Sequence, residues 1–282
     1  MPDDSGTASC APKPTPLAWR PAPPNETPEK LTWQCGSGAT AGRLDLRQPY
    51  HGIAFDTGRS DLLRLLGVRL SPSQAAASSP VDGWVRAADA FGVYEPHDSR
   101  RLRVTAQWRL ETPAAAVRAE ICDTIAIELV LSAQTSRGTS AGTLAVECQF
   151  ASTELLVGWW QDSQLRWAEG DSLESLRTTW NRLPPTAVCC LLCRGVVADQ
   201  SLAVCLRRDE VRHVLAAALP PPLVAPGQPR SYCLTSWCFP TLIEKGVLHR
   251  SRLRATLGTS TADREWASET AAAFAAEPPL LQ

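Results

Sequence analysis

Apolar and polar residues alternate with a period of two along three stretches of this 282-residue chain. From Leu102 to Leu110 the apolar positions are Leu102, Val104, Ala106, Trp108 and Leu110. From Ile125 to Leu131 they are Ile125, Ile127, Leu129 and Leu131. From Leu144 to Phe150 they are Leu144, Val146, Cys148 and Phe150. Side chains on a strand point to opposite faces in turn, so each run is a strand with one buried face and one wet face. Gly/Pro/Ser breaks between the runs predict antiparallel sheet packed on sheet. Shorter strands are predicted around 43–47, 51–55, 62–70, 84–86 and 91–94, and later around 154–167, 186–197, 202–207, 211–217, 232–239 and 247–257. A short helix fits 171–180. The last helix has Ser260 or Thr261 as its cap, Asp263 and Glu265 at its positive end, and Pro278 as its stop. The predicted class is mainly β: a large antiparallel, supersandwich-like β-sandwich with a short C-terminal helix. Residues 1–30, rich in proline, read as an extended tail in which Trp19 can dock on the body. Residues 31–282 read as a single domain.

Charge narrows the partners. The formal net charge is −1, so no strong field draws nucleic acid or an anionic membrane. No segment reaches the roughly 20 apolar residues of a bilayer-spanning helix. The start, Met1-Pro-Asp-Asp-Ser5, has neither a basic region nor an apolar one, so the expected compartment is the cytoplasm, where thiols stay reduced. The lysines are Lys13, Lys30 and Lys245, and every other basic residue is arginine. Guanidinium forks suit carboxylates, phosphates and aromatic faces, although a GC-rich genome produces the same bias. No GxSxG, HExxH, P-loop, GxGxxG or DxDxDG pattern occurs, and no cofactor is expected. Cys190 and Cys193 have CxxC spacing, but on a strand they point to opposite faces. Together with Cys189 and Cys205 they read as buried thiols rather than a metal site.

The candidate chemistry is scattered. Glu95, His97 and Asp98, followed by Arg100, Arg101 and Arg103, form a loop that suits acid/base work or an anionic sugar, or is simply a solvated tip. Arg103, Gln107 and Arg109 share the polar face of one strand and are ligand-binding candidates. Trp159, beside Trp160 and near Trp167, is a stacking candidate for a sugar ring, against a core role. His51, followed by Gly52, sits where a ligand can approach the backbone. His213 and His249 read as core or boundary histidines. Glu244, Lys245 and Gly246 make a turn before Arg250, Arg252 and Arg254, a one-sided basic row facing either water or an acidic ligand.

The segment from Thr241 to Arg254, in which Glu244-Lys245-Gly246-Val247 leads into an arginine-rich strand, resembles the late strand of the galactose-mutarotase-like β-supersandwich class. Trp84–Asp89, Gln107–Arg109 and Leu129–Ser136 are similar to a family of uncharacterised bacterial proteins with that fold. The resemblance implies a large antiparallel supersandwich, a bacterial source and a carbohydrate or other small polar ligand on the concave face. Mutarotases use a histidine acid and a glutamate base, and those positions do not align onto this chain. Two function classes therefore stand side by side. One is a carbohydrate-binding protein using Arg103, Gln107, Arg109 and Trp159. The other is a sugar-active enzyme, epimerase-like or lyase-like, with His51, His97 or Glu244 as acid/base. A structural module pairing through an open sheet edge is the third reading.

Overall fold

Strands built from the alternating runs form the middle of the molecule. The computed structural model describes residues 18–21, 30–35, 40–55, 63–70, 80–95, 101–111, 124–136, 144–168, 172–197, 199–219, 228–239 and 243–280. The chain opens one sheet with β1 (Arg20–Pro21), β2 (Lys30–Cys35), β3 (Thr40–Asp45), β4 (Ile53–Phe55) and β5 (Leu63–Arg69). It builds a second sheet with β6 (Asp82–Arg86), β7 (Asp89–Tyr94), β8 (Leu102–Glu111) and β9 (Ile125–Thr135), and returns to the first with β10 (Ala145–Ser152). The second sheet then gains β11 (Glu154–Gln161) and β12 (Gln164–Trp167), followed by helix α1 (Ser172–Thr179) and by β13 (Val188–Val197) and β14 (Gln200–Arg207). Strands β15 (Val211–Ala218) and β16 (Arg230–Cys238) complete the first sheet. Strand β17 (His249–Thr259) enters the middle of the second, and helix α2 (Asp263–Ala276) follows it.

Among the described residues the first sheet has 8 strands, in the order β1-β2-β3-β4-β5-β10-β16-β15, and the second has 9, in the order β12-β11-β13-β14-β17-β9-β8-β7-β6. Every named strand pair is antiparallel. The inward residues of both sheets form one core. Leu102, Val104, Ala106, Trp108 and Leu110 of β8 are all buried, as are Ile125, Ile127, Leu129 and Leu131 of β9. Their neighbours along β8 are exposed or half-buried, and this is the predicted alternation.

Buried hydrogen bonds tie the two layers across the core, one from Tyr94 Oη to the Leu46 carbonyl at 2.9 Å and another from Trp108 to the first sheet. The ladder between β5 and β10 shifts register between Glu147 and Gln149. In the bulged strand β5, where Leu65 and Leu66 face the single residue Cys148, Leu66 takes a positive φ of 57°, a costly conformation for a branched residue. Its N–H donates to Cys148 Sγ at 3.3 Å, and its carbonyl accepts from Trp108 Nε1 at 3.0 Å. The Trp108 carbonyl in turn accepts from Trp19 Nε1 at 3.2 Å, and the Trp19 N–H donates to Ala87 O at 3.0 Å. The N-terminal segment is thus pinned by Trp19, which is buried. Beside the bulge, a Cβ on Gly67 would lie 2.2 Å from Tyr50 O. The predicted strand at 51–55 therefore begins only at Ile53, because Pro49–His51 form a 3-10 turn seated on Gly67.

Helix α2 lies on the outer face of the second sheet. Trp266, Ala267, Ala271 and Phe274 pack on Val188, Cys190, Leu192, Ala203 and Cys205. The expected Ser260 or Thr261 cap is replaced: Ala262 is the N-cap, in the left-handed region at φ 53°, with no side-chain capping bond. Asp263 holds the helix start instead. Arg194 donates to it through Nε and Nη2, both at 2.8 Å, and Ser201 Oγ donates at 2.9 Å. Burial alone would raise the Asp263 pKa, but these bonds outweigh it and keep the carboxyl below its ordinary range.

Two substitutions test these anchors. Trp108→Phe leaves the Leu66 carbonyl unpaired in the core and is expected to cost roughly 1–3 kcal/mol in urea unfolding with an unchanged m-value. Asp263→Asn is expected to cost roughly 2–3 kcal/mol at neutral pH. The folded Asp263 pKa lies below the unfolded value of about 3.9, so its contribution is present above that pH and is lost as pH falls through the folded value. The stability gap between the two proteins should therefore close on acidification. A gap that persisted at acid pH would contradict the assignment.

Candidate functional site

The residues of β8, β9 and β17 that do not face the core line a groove of about 590 Å³ on the outer face of the second sheet. Register arranges them in rows. Thr105, Ser132 and Arg250 are cross-strand neighbours, as are Gln107, Val130 and Arg252, and then Arg109, Glu128 and Arg254. Directly opposed residues on one face of a sheet lie about 5 Å apart, so each row is a contact row. Glu277 and Leu280, just beyond α2, close one wall.

Arg254 is the electrostatic hub. Its Nη2 lies 2.7 Å from Glu128 Oε2, 2.7 Å from Glu277 Oε1 and 3.4 Å from Glu111 Oε2. Arg252 pairs through Nη1 with Glu277 and donates through Nη2 to the Pro278 carbonyl at 3.2 Å. Both guanidinium groups lie over the Phe274 ring, at 5.0 and 5.3 Å from its centroid. Arg252 is 5% exposed and Arg254 6% exposed, which only this degree of pairing sustains. Burial would lower the Arg254 pKa, and the three carboxylates more than reverse that. Burial raises Glu111. Arg254 pulls it back, while Glu128 and Glu277 push it up again, so it settles above the ordinary carboxylate range. On the far side, Asp89 accepts from Arg109 Nε at 2.8 Å and from Gln107 Nε2 at 3.0 Å, fixing both side chains.

Arg250 differs from its neighbours. It lines the groove half-buried and, among the described residues, its side chain has no hydrogen-bond or ion-pair partner. Ser132 is its cross-strand neighbour, and Thr105 follows one strand farther along the same row. This is a guanidinium with its donors free, in a row with two neutral donors.

The other candidates fall elsewhere. Gln107 and Arg109 are in the groove, whereas Arg103 lies outside its lining, exposed and 3.8 Å from Glu95. Trp159 is 8% exposed and belongs to the inter-sheet core, so it offers no open ring face; the strand turns Trp160 the other way, against the α2 cluster. His51 sits in the 3-10 turn on the first sheet, edge-on to Tyr50, and burial together with Arg64 lowers its pKa. Glu244 is an exposed turn residue ahead of β17. Neither His51 nor Glu244 lines the groove. His97 lies outside the described residues. His249 faces the core against Phe239, whereas His213 is exposed rather than core. Cys189, Cys190, Cys193 and Cys205 are buried thiols, and burial pushes the Cys189 and Cys193 thiols far up. No cluster of His, Cys, Asp and Glu among the described residues has the arrangement of a metal site. Among those residues no helix is long and apolar enough to cross a membrane.

A protein from Salmonella typhimurium assigned as a mutarotase overlays with a TM-score of 0.43 at 10% identity, over 86% of this chain and 94% of its own. A protein from the human microbiome assigned as a kojibiose phosphorylase overlays at 0.42 and 8% identity, over 94% of this chain and 37% of its own. A protein from Klebsiella pneumoniae assigned as an aldose 1-epimerase overlays at 0.38 and 9% identity, over 90% of this chain and 87% of its own. No protein-family model and no curated protein matches the chain. At this level of likeness the chemistry of the groove rests on its own side chains.

Glu111 supplies the test of the hub. Its folded pKa lies above the unfolded value, so its favourable contribution exists at low pH and disappears as pH rises through the folded value. Glu111→Gln should therefore be more stable than wild type at pH 7 and level with it well below the carboxylate range, as read by urea midpoints at the two pH values. Destabilisation at pH 7 would show that the ionised carboxyl is needed by Arg254.

Proposed function

We propose that the groove binds a carbohydrate bearing an acidic group. One observation carries this reading: the Arg250 side chain is unpaired among the described residues, in a groove whose other lining cations, Arg109, Arg252 and Arg254, are held by carboxylates of the chain itself. A free fork beside the Ser132 hydroxyl, with Thr105 next along the row, matches the acceptor pattern of a carboxylate or phosphate. Gln107, Glu128 and Arg109 offer fixed donors and acceptors for sugar hydroxyls. The groove volume lies within the range of small-molecule sites, which is about 300–1,000 Å³. The acidic carbohydrate needs no cofactor for binding. Reduced, buried thiols suit a reducing compartment such as the cytoplasm.

A second reading has its own observation. Glu111 and Glu128 both approach Arg254 Nη2, and Glu111 is held above the ordinary carboxylate range. Two carboxyl groups around one guanidinium, one of them raised by burial, are the kind of pairing that acid/base chemistry on a sugar uses. The two readings share one pocket and differ in turnover.

The binding test uses galacturonate against neutral galactose, followed by calorimetry. Wild type should prefer the acid. Arg250→Ala should weaken galacturonate by about tenfold to a hundredfold, the worth of a charge-assisted hydrogen bond, and leave galactose unchanged. Equal affinity for the two sugars, or no effect of the substitution, would sink the reading. Turnover is read separately by polarimetry of anomer exchange. Acceleration by wild type that is lost in Glu111→Gln would favour the enzyme.

A further inference from the structure

Strand β6 is the last strand of the second sheet among the described residues. An open edge presents unpaired N–H and C=O groups, and chains usually guard such edges with charge and keep them free of large apolar side chains. Here the edge carries Trp84 at 43% exposure, with Val81 just before it at 57%. Phe91 stacks on one side of the indole, with centroids 4.9 Å apart and planes 14° apart, and so holds it upright with its other side uncovered. The inner row of β6 is already used. A Cβ on Gly83 would touch Leu46 Cδ1 at 3.0 Å, and Val85 packs against the core. The outer row is Asp82, Trp84 and Arg86, all exposed. Among the described residues the Arg86 side chain has no partner, and the Asp82 carboxylate accepts only the N–H of Gly83, at 2.9 Å.

From this arrangement we propose that a second copy of the chain docks on β6, antiparallel, about a two-fold axis through Trp84. The register follows from symmetry. In an isologous antiparallel pairing centred on residue 84, Trp84 faces Trp84 of the second copy, and Asp82 faces its Arg86 twice over. Opposite charges meet at both ends of a five-residue strand, and two indoles meet at its centre, each already backed by a phenyl ring. A shift of register by two would set Asp82 against Trp84 and leave Arg86 facing no side chain of the row. The second sheets of the two copies then form one continuous sheet, with both grooves on the same face. A five-residue edge is small beside a standard interface, so the pairing is weak and dependent on concentration.

Sedimentation velocity on the full chain tests this, from low to high micromolar protein. Wild type should shift from monomer towards dimer as concentration rises. Trp84→Ala, with its fold checked by circular dichroism, should remain monomeric. Asp82→Arg sets Arg against Arg86, and Arg86→Asp sets Asp against Asp82, so each alone should remain monomeric. The double exchange Asp82→Arg with Arg86→Asp restores opposite charges and should recover the dimer. A wild type that stays monomeric throughout, a Trp84→Ala variant that still dimerises, or a folded double exchange that does not recover, would each overturn the proposal.

Discussion

Strand β17 has to satisfy two environments at once, and the outer surface of the second sheet is organised around that demand. Its inward residues, Leu253, Ala255 and Leu257, complete the core, while its outward residues are Arg250, Arg252 and Arg254. Period-two geometry leaves no freedom to separate the two sets. Two of these arginines are then buried by α2 and the chain beyond it. A buried guanidinium is tolerable only with carboxylates in contact, and for Arg254 Glu128 and Glu277, each at 2.7 Å, meet that need from two different segments, with Glu111 farther off at 3.4 Å.

The position of α2 therefore matters to the groove. Arg194 and Ser201 fix Asp263 at the start of the helix, and Trp266 and Phe274 fix its face. These contacts deliver Glu277 to Arg252 and Arg254. Arg207 holds the Glu277 carbonyl at 3.0 Å, and buried Glu210 accepts from the Arg252 N–H at 2.6 Å. Arg250 lies past this set of contacts. The same helix that delivers Glu277 to its two neighbours leaves Arg250 open, so the uncompensated end of the groove is defined by where the chain's own acids stop.

Much of the architecture was legible from side-chain alternation, because burial on one face imposes period two on β8, β9 and β10 directly. The departures have identifiable causes. Residue 51 lies in a 3-10 turn because Pro49 favours one and Gly67 makes room for it. The α2 cap failed as an expectation because an ion pair from a distant strand took over its role. Within the groove, Gln107, Arg109 and the arginine row were visible as polar positions on strands. Glu111, Glu128 and Glu277 carry no local signature, since what unites them is contact with Arg254 from positions far apart in the chain. Trp159 misled because a tandem Trp-Trp must send one ring to each face of its strand, and the ring sent inward joins the core. Trp84 gave no cluster signal, and only an edge position makes it conspicuous.

The cysteines of the second sheet have a practical consequence. Cys189 and Cys193 point into the space between the layers, and Cys190 and Cys205 lie under α2, each fully enclosed. An alkylating reagent can reach the first pair only when the sandwich parts and the second only when the helix lifts. Their modification rates would thus time two separate openings of one molecule, with no label introduced.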